Sequence, residues 1–197
     1  MPHSLRSVCS LLSGLVLATT AGALYAQETG SVESRLKSEL TVLGFANGEL
    51  PVLKPAFGNY VDAVQVDNLL ILSSAAPQRP DGQFVKGRVP DQVSVNDAMV
   101  AAKLACVRQI ARMKLALGDL NRVQRIAYVK GKIWSTPEFT DQTKITDACS
   151  SLFVAVFGDA GKHARTTEGI ASGPFGATFE VETFVEVKPS VTSMEKK

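Results

Sequence analysis

From residue 31 onward, apolar residues alternate between helical and extended spacing, and the order of these patterns predicts the architecture. In "SVESRLKSELTVLG", Val32, Leu36, Leu40 and Leu43 recur at helical spacing and stop at Gly44, which predicts a short amphipathic helix with a glycine end. "FANGELPVLKPAFGN" is rich in Gly, Pro and Asn and reads as loop. "YVDAVQVDNLLILSSAAP" reads as two strands joined by a tight turn at Asp67-Asn68. "QRPDGQFVKGRVPDQ" is turn-rich.

At Ser94 the period changes. Ser94 with Asp97 resembles a capping box, and Met99, Cys106, Ile110, Met113 and Leu117 follow on one helical face before Gly118. "NRVQRIAYVKGKIW" alternates and reads as a strand. Thr136-Pro137-Glu138 reads as an N-cap with proline at the first helical position, opening a second long helix that turns Ile145, Cys149, Leu152 and Val156 inward and ends at Gly158. Two further strands flank "SGPFG" and read as a hairpin. The order hairpin, helix, strand, helix, hairpin implies an α+β two-layer sandwich, an antiparallel-type sheet with both long helices on one face.

In the last strand Phe179, Val181, Val185 and Val187 alternate with Glu180, Glu182 and Glu186, so Glu180 points away from the helices. If the preceding strand folds back as a hairpin about "SGPFG", Arg165 falls roughly opposite Glu180. From periodicity alone, a cross-strand ion pair on a solvated face is the simpler reading. The functional alternative is an arginine gripping a carboxylate beside a glutamate that holds or deprotonates water. His163 stands alone ahead of its strand and reads as structural.

Composition adds limits. The first 26 residues have the charged, apolar and polar regions of a secretory leader, with cleavage expected after Ala26. Its apolar run is too short and interrupted to span a bilayer, so no membrane association is expected after cleavage, and the mature protein is expected to be periplasmic or secreted. The expected division is a leader at 1–26, one domain at 27–188 and a disordered tail at 189–197. Of 21 basic side chains Arg6 alone lies in the leader, which leaves 20 against 19 acidic ones. Near-neutrality argues against a nucleic-acid partner, which a basic excess would favour. No metal-ligand spacing and no phosphate-cradling glycine loop is present, so no metal or organic cofactor is expected. Cys106 and Cys149 both fall on apolar helical faces; buried free thiols are the first reading and a disulfide the second.

The segments "GNYVDAV", "LLILSSAAP", "ALGDLNRV", "STPEFTDQ", "VFGDAGKHAR" and "GPFGATFEVE" resemble, in order and spacing, the RidA/YjgF family of enamine/imine deaminases, in its exported, endoribonuclease L-PSP-like branch. The resemblance spans about residues 36–187. It implies a chorismate-mutase-like fold, a homotrimer with sites between subunits, and hydrolysis of a small carboxylate-bearing imine to a 2-keto acid and ammonia. It further implies that Arg165 holds the substrate carboxylate and Glu180 positions water, with Tyr60, Ser73, Ser74 and Thr167 lining the site. On that reading Arg165→Ala lowers catalytic efficiency by orders of magnitude. The chain departs from the family pattern at Ser73-Ser74-Ala75, where Ser-Gly-Gln is usual, and at Thr167, where cysteine is frequent. A non-catalytic module that binds a small acid in the same cleft is the alternative. Ribonuclease action, suggested by the older family label, is disfavoured by the charge balance and the lack of a histidine pair.

Overall fold

The computed structural model describes residues 30–189. The expected leader and nearly all of the expected tail lie outside them. Three helices, α1 (Val32–Val42), α2 (Val95–Leu117) and α3 (Gln142–Phe157), accompany five strands. These are β1 (Ala63–Val66), β2 (Leu69–Ala75), β3 (Val123–Trp134), β4 (Ala164–Ile170) and β5 (Phe179–Val187), in the sheet order β1-β2-β5-β3-β4.

Local chemistry accounts for most boundaries. Ser31 caps α1 by accepting from the Ser34 N–H, and Leu36 and Leu40 bury its inner face. Ser94 caps α2 by accepting from the Asp97 N–H while its hydroxyl donates to the Asp97 carboxylate, satisfying donors that a helix start leaves open. Gly118, at φ 74°, ends α2 with its N–H on the Lys114 carbonyl. Asp67, at φ 51°, makes the tight turn between β1 and β2. Helices α2 and α3 cover one sheet face, with Phe153, Phe179, Ile126, Ile133 and Met113 among the fully buried side chains between the layers. At Gly131 the layers touch: a Cβ there would stand 2.5 Å from Thr146 Oγ1. Helix α1 packs on α3.

Three expectations need correction. First, β4 and β5 form no hairpin. Strand β4 runs parallel to β3 on the outer edge, and β5 pairs antiparallel with β3 on its other side. The cause is that β3, α3 and β4 form a strand-helix-strand crossover, which delivers the returning strand parallel to the first. The sheet is therefore mixed. Second, α3 starts after Asp141 rather than at Thr136. The Thr136 N–H is bonded to the Val89 carbonyl and the Phe139 N–H to Thr136, so this stretch is held as an extended pairing and a turn. Third, Cys106 and Cys149 are bridged, with Cα atoms 5.7 Å apart, tying α2 to α3 inside the core. The two apolar faces that suggested buried thiols are the faces by which the helices meet.

Candidate functional site

The site begins with an irregularity in β2. Leu72 pairs with Thr183 and Ala75 with Val181, so Ser73 and Ser74 together stand against Glu182. Such a bulge turns backbone groups out of the ladder, and three side chains of α2 take them up. The Ser73 carbonyl accepts from Arg112 at 2.7 Å and Gln109 at 3.1 Å, and the Ala76 carbonyl accepts from Arg108 at 2.9 Å. Two arginines are thereby buried at 8 and 5 % exposure, deep enough that their charge needs an explanation beyond solvation. Asp62 answers Arg112 with an ion pair of 2.8 Å. Arg108 has no carboxylate within ion-pair reach among the described residues. Its guanidinium lies over the Phe84 ring, 5.3 Å from the centroid.

Beside the bulge a cleft of about 270 Å3 opens. Tyr60, Phe57, Phe84 and Phe175 form its aromatic walls, Pro174, Ala76 and Ala177 add apolar surface, and Lys86, Arg108, Arg112, Ser74 and Glu180 supply its polar groups. Phe57 and Phe175 are exposed at its rim with ring centroids 6.1 Å apart. Phe175 holds φ 54°, a left-handed conformation that a bulky side chain rarely adopts.

Glu180 stands on β5 between fully buried Phe179 and Val181 and points to the face away from the helices, as the alternation predicted. Lys132, its partner across β3, is taken by the Glu182 carboxylate, and Glu180 makes no ion pair among the described residues. Burial pushes the Glu180 carboxyl above the ordinary glutamate range; the Lys132 ammonium and then the Ser74 hydroxyl oppose this, and Glu182 adds to it. Ser74 Oγ is buried near this carboxyl without a fully formed hydrogen bond.

The predicted site residues divide between two places. Tyr60, Ser74 and Glu180 share the cleft. Ser73 sits behind it, its hydroxyl donating to the Val61 carbonyl at 2.7 Å. Arg165 and Thr167 lie elsewhere. Arg165 aligns through Val129 with Thr183, both fully buried on the helical side, whereas Glu180 aligns with Lys132. The two residues thus stand two strands apart, about 10 Å across the sheet, and on opposite faces. Their expected juxtaposition fails because β3 occupies the place that a hairpin would have closed.

At the β4 edge, Arg165 NH1 donates to Asp147 Oδ1 and Ser150 Oγ, each at 3.0 Å. Ser150 Oγ meets His163 Nε2 at 3.0 Å, and His163 Nδ1 meets the Gly161 carbonyl at 2.7 Å. A carbonyl only accepts, so Nδ1 carries the proton and Nε2 accepts from Ser150. Burial lowers the His163 pKa, the Gly161 bond opposes that, and Arg165 lowers it further. Thr167 Oγ1, on the same strand, is buried without a partner.

Arg108 and Arg112 escaped the sequence reading. Their signal was present in "CVRQIARMK", two arginines and a glutamine at i, i+1 and i+4 inside a helix whose other residues here are mostly apolar. Among the described residues no cluster of His, Cys, Asp or Glu could hold a metal, and no helix is long and apolar enough to cross a membrane.

The layered α+β fold and the sheet-face cleft define a chorismate-mutase-like protein. Residues 37–187 match the family described as "YjgF/chorismate_mutase-like, putative endoribonuclease", and the chain belongs to this family. It is 33 % identical over 154 residues to Protein TCP17 of Trypanosoma cruzi, covering 78 % of this chain and 94 % of that protein. Among solved structures it is similar to Atu1372 of Agrobacterium tumefaciens, a protein of unknown function, with 36 % identity, TM-score 0.72 and coverage of 80 % of this chain and 95 % of that one. It is also similar to a structure described as a putative endoribonuclease from Shewanella oneidensis, with 28 % identity, TM-score 0.73 and coverage of 80 and 100 %.

Proposed function

We propose that the cleft binds a small carboxylate-bearing enamine or imine and hydrolyses it to a 2-keto acid and ammonia, with Glu180 as the acid/base. The observation that carries this reading is Glu180 itself: a half-buried carboxyl with a raised pKa and no ion-pair partner among the described residues, in a cleft that it shares with aromatic rings and cations. A carboxylate so placed holds a water by hydrogen bonding and takes its proton as the oxygen adds to the imine carbon. The protonated acid then returns a proton to the departing nitrogen. Cationic side chains in the same cleft suit a substrate carboxylate. Within one protomer this chemistry does not use Arg165.

A trimer with sites between subunits and export to the periplasm or outside the cell are implied by the sequence resemblance and belong to the same proposal. The test is ammonia release from imines freshly generated by an amino-acid oxidase, comparing wild type with Glu180→Gln. Acceleration by wild type alone supports hydrolysis. Equal rates for both proteins across the panel would overturn it and leave a cleft that binds without turnover.

A further inference from the structure

Arg108 lines the cleft without an ion-pair partner among the described residues. Arg108 is 8 % exposed, spends NH1 on the Ala76 carbonyl, and leaves Nε buried without a partner. No carboxylate of the described residues lies within ion-pair reach of it. The neighbouring cation Arg112 takes Asp62 as its ion-pair partner; Asp62 attracts Arg108 only from beyond ion-pair distance, and Arg112 repels it. A buried guanidinium without an anion is costly, and a carbonyl alone could be satisfied by an uncharged amide, as Gln109 does for Ser73. Four aromatic rings, Phe57, Tyr60, Phe84 and Phe175, share the rest of the lining with apolar residues and with polar ones, Glu180 among them. Phe84 lies beneath the guanidinium, and Phe57 and Phe175 meet at the mouth, the latter in a strained backbone conformation of the sort that persists where the surroundings impose it. The volume, about 270 Å3, is at the lower edge of the roughly 300–1,000 Å3 common for small-molecule sites.

We infer that Arg108 holds the ligand's carboxylate and that the Phe57, Phe84 and Phe175 rings select a ligand whose carboxylate is followed by a ring-sized apolar group. Resting on the hydrolytic reading above, this makes the preferred substrates imines of aromatic or bulky apolar amino acids, with short-chain ones disfavoured. Planar guanidinium suits a carboxylate better than the exposed Lys86 ammonium, which is solvated and screened.

Calorimetric titration of the purified protein with phenylacetate, phenylacetamide and acetate tests the inference. Wild type is expected to bind phenylacetate roughly 10- to 100-fold tighter than phenylacetamide, the scale of a charge-assisted hydrogen-bond pair, and at least about tenfold tighter than acetate, the scale of burying a ring. Arg108→Gln, which keeps a donor for Ala76, is expected to erase the acid-to-amide gap, and Lys86→Met to keep it. An equal affinity of wild type for acid and amide overturns the inference, as does a gap that survives in folded Arg108→Gln or disappears in Lys86→Met. If Arg108→Gln loses its cooperative thermal transition, the Lys86→Met result decides between the two cations. Ammonia release measured on the same preparations separates the two claims. Phenylacetate binding with the expected pattern but no release overturns hydrolysis alone, and release without acid-to-amide discrimination overturns the Arg108 assignment alone.

Discussion

The cleft and the β4 edge are both charged, both contain an arginine and both draw on a helix, yet they differ in how their polar groups are paired. At the edge, Arg165, Ser150, His163, Asp147 and the Gly161 carbonyl close a chain in which each group has a partner. In the cleft, Arg108 Nε and Ser74 Oγ have no formed hydrogen bond, and the Glu180 carboxylate has no ion-pair partner among the described residues, Lys132 being held by Glu182. A satisfied network fastens one element to another, here β4 to α3. Groups left over in a cavity are free to act on a ligand, and the fold carries their cost. The lesson is that an arginine at a family's expected position is less informative than the state of its partners.

The largest expected effect tests the cleft. Glu180→Gln removes the acid/base and should lower kcat about 100-fold or more, read as ammonia release, while raising the thermal midpoint. The sign follows from the raised pKa: the stability Glu180 contributes is present while it is protonated and is lost as pH rises through its folded value, so at neutral pH the uncharged amide is the better tenant. For the same reason the acid limb of the wild-type rate profile should lie above the ordinary glutamate value of 4.5. A variant that is inactive but also less stable would remove the contrast between the two regions.

Next is the bond behind both regions. Reducing Cys106–Cys149, which closes a separation of 43 residues, should cost about 2–4 kcal/mol, roughly 5–15 °C in the thermal midpoint. Cys106→Ser/Cys149→Ser should show the same loss without reductant, and the residual activity of the folded fraction should retain its dependence on Glu180.

Arg165→Ala is the direct comparison. It should cost about 1–2 kcal/mol of stability through the lost bonds to Ser150 and Asp147, and lower turnover less than tenfold. A loss as large as that of Glu180→Gln would mean that a second copy brings Arg165 to the cleft. The smallest effect is at His163. Its lowered pKa favours the neutral ring, so the stability it contributes is complete above the unfolded value near 6.5 and is lost as pH falls through the lower folded value. Denaturant titrations between pH 7 and 5 should show that slope in wild type and its reduction in His163→Gln.

What the amino-acid sequence determined by itself was the local part. The cap at Ser94, the stop at Gly118, the turn at Asp67 and the outward direction of Glu180 all follow from interactions within a few residues, and all stand in the structure. Tyr60, Ser74 and Glu180, named from the family resemblance because it carries positions along one chain, line one cleft in the structure. Tertiary structure decided everything that depends on which elements become neighbours. The alternation along β4 and β5 is the same whether they pair with each other or both flank β3, so only packing of the crossover helix chose between these and parted Arg165 from Glu180. The apolar faces carrying Cys106 and Cys149 do not encode their meeting. Nor does a helix interior announce that its arginines will answer carbonyls at and just past a bulge 32 or more residues earlier. Periodicity is a short-range property of the backbone, whereas pairing order, bulge position and buried-charge compensation are set by non-local contacts that exist only once the layers have closed.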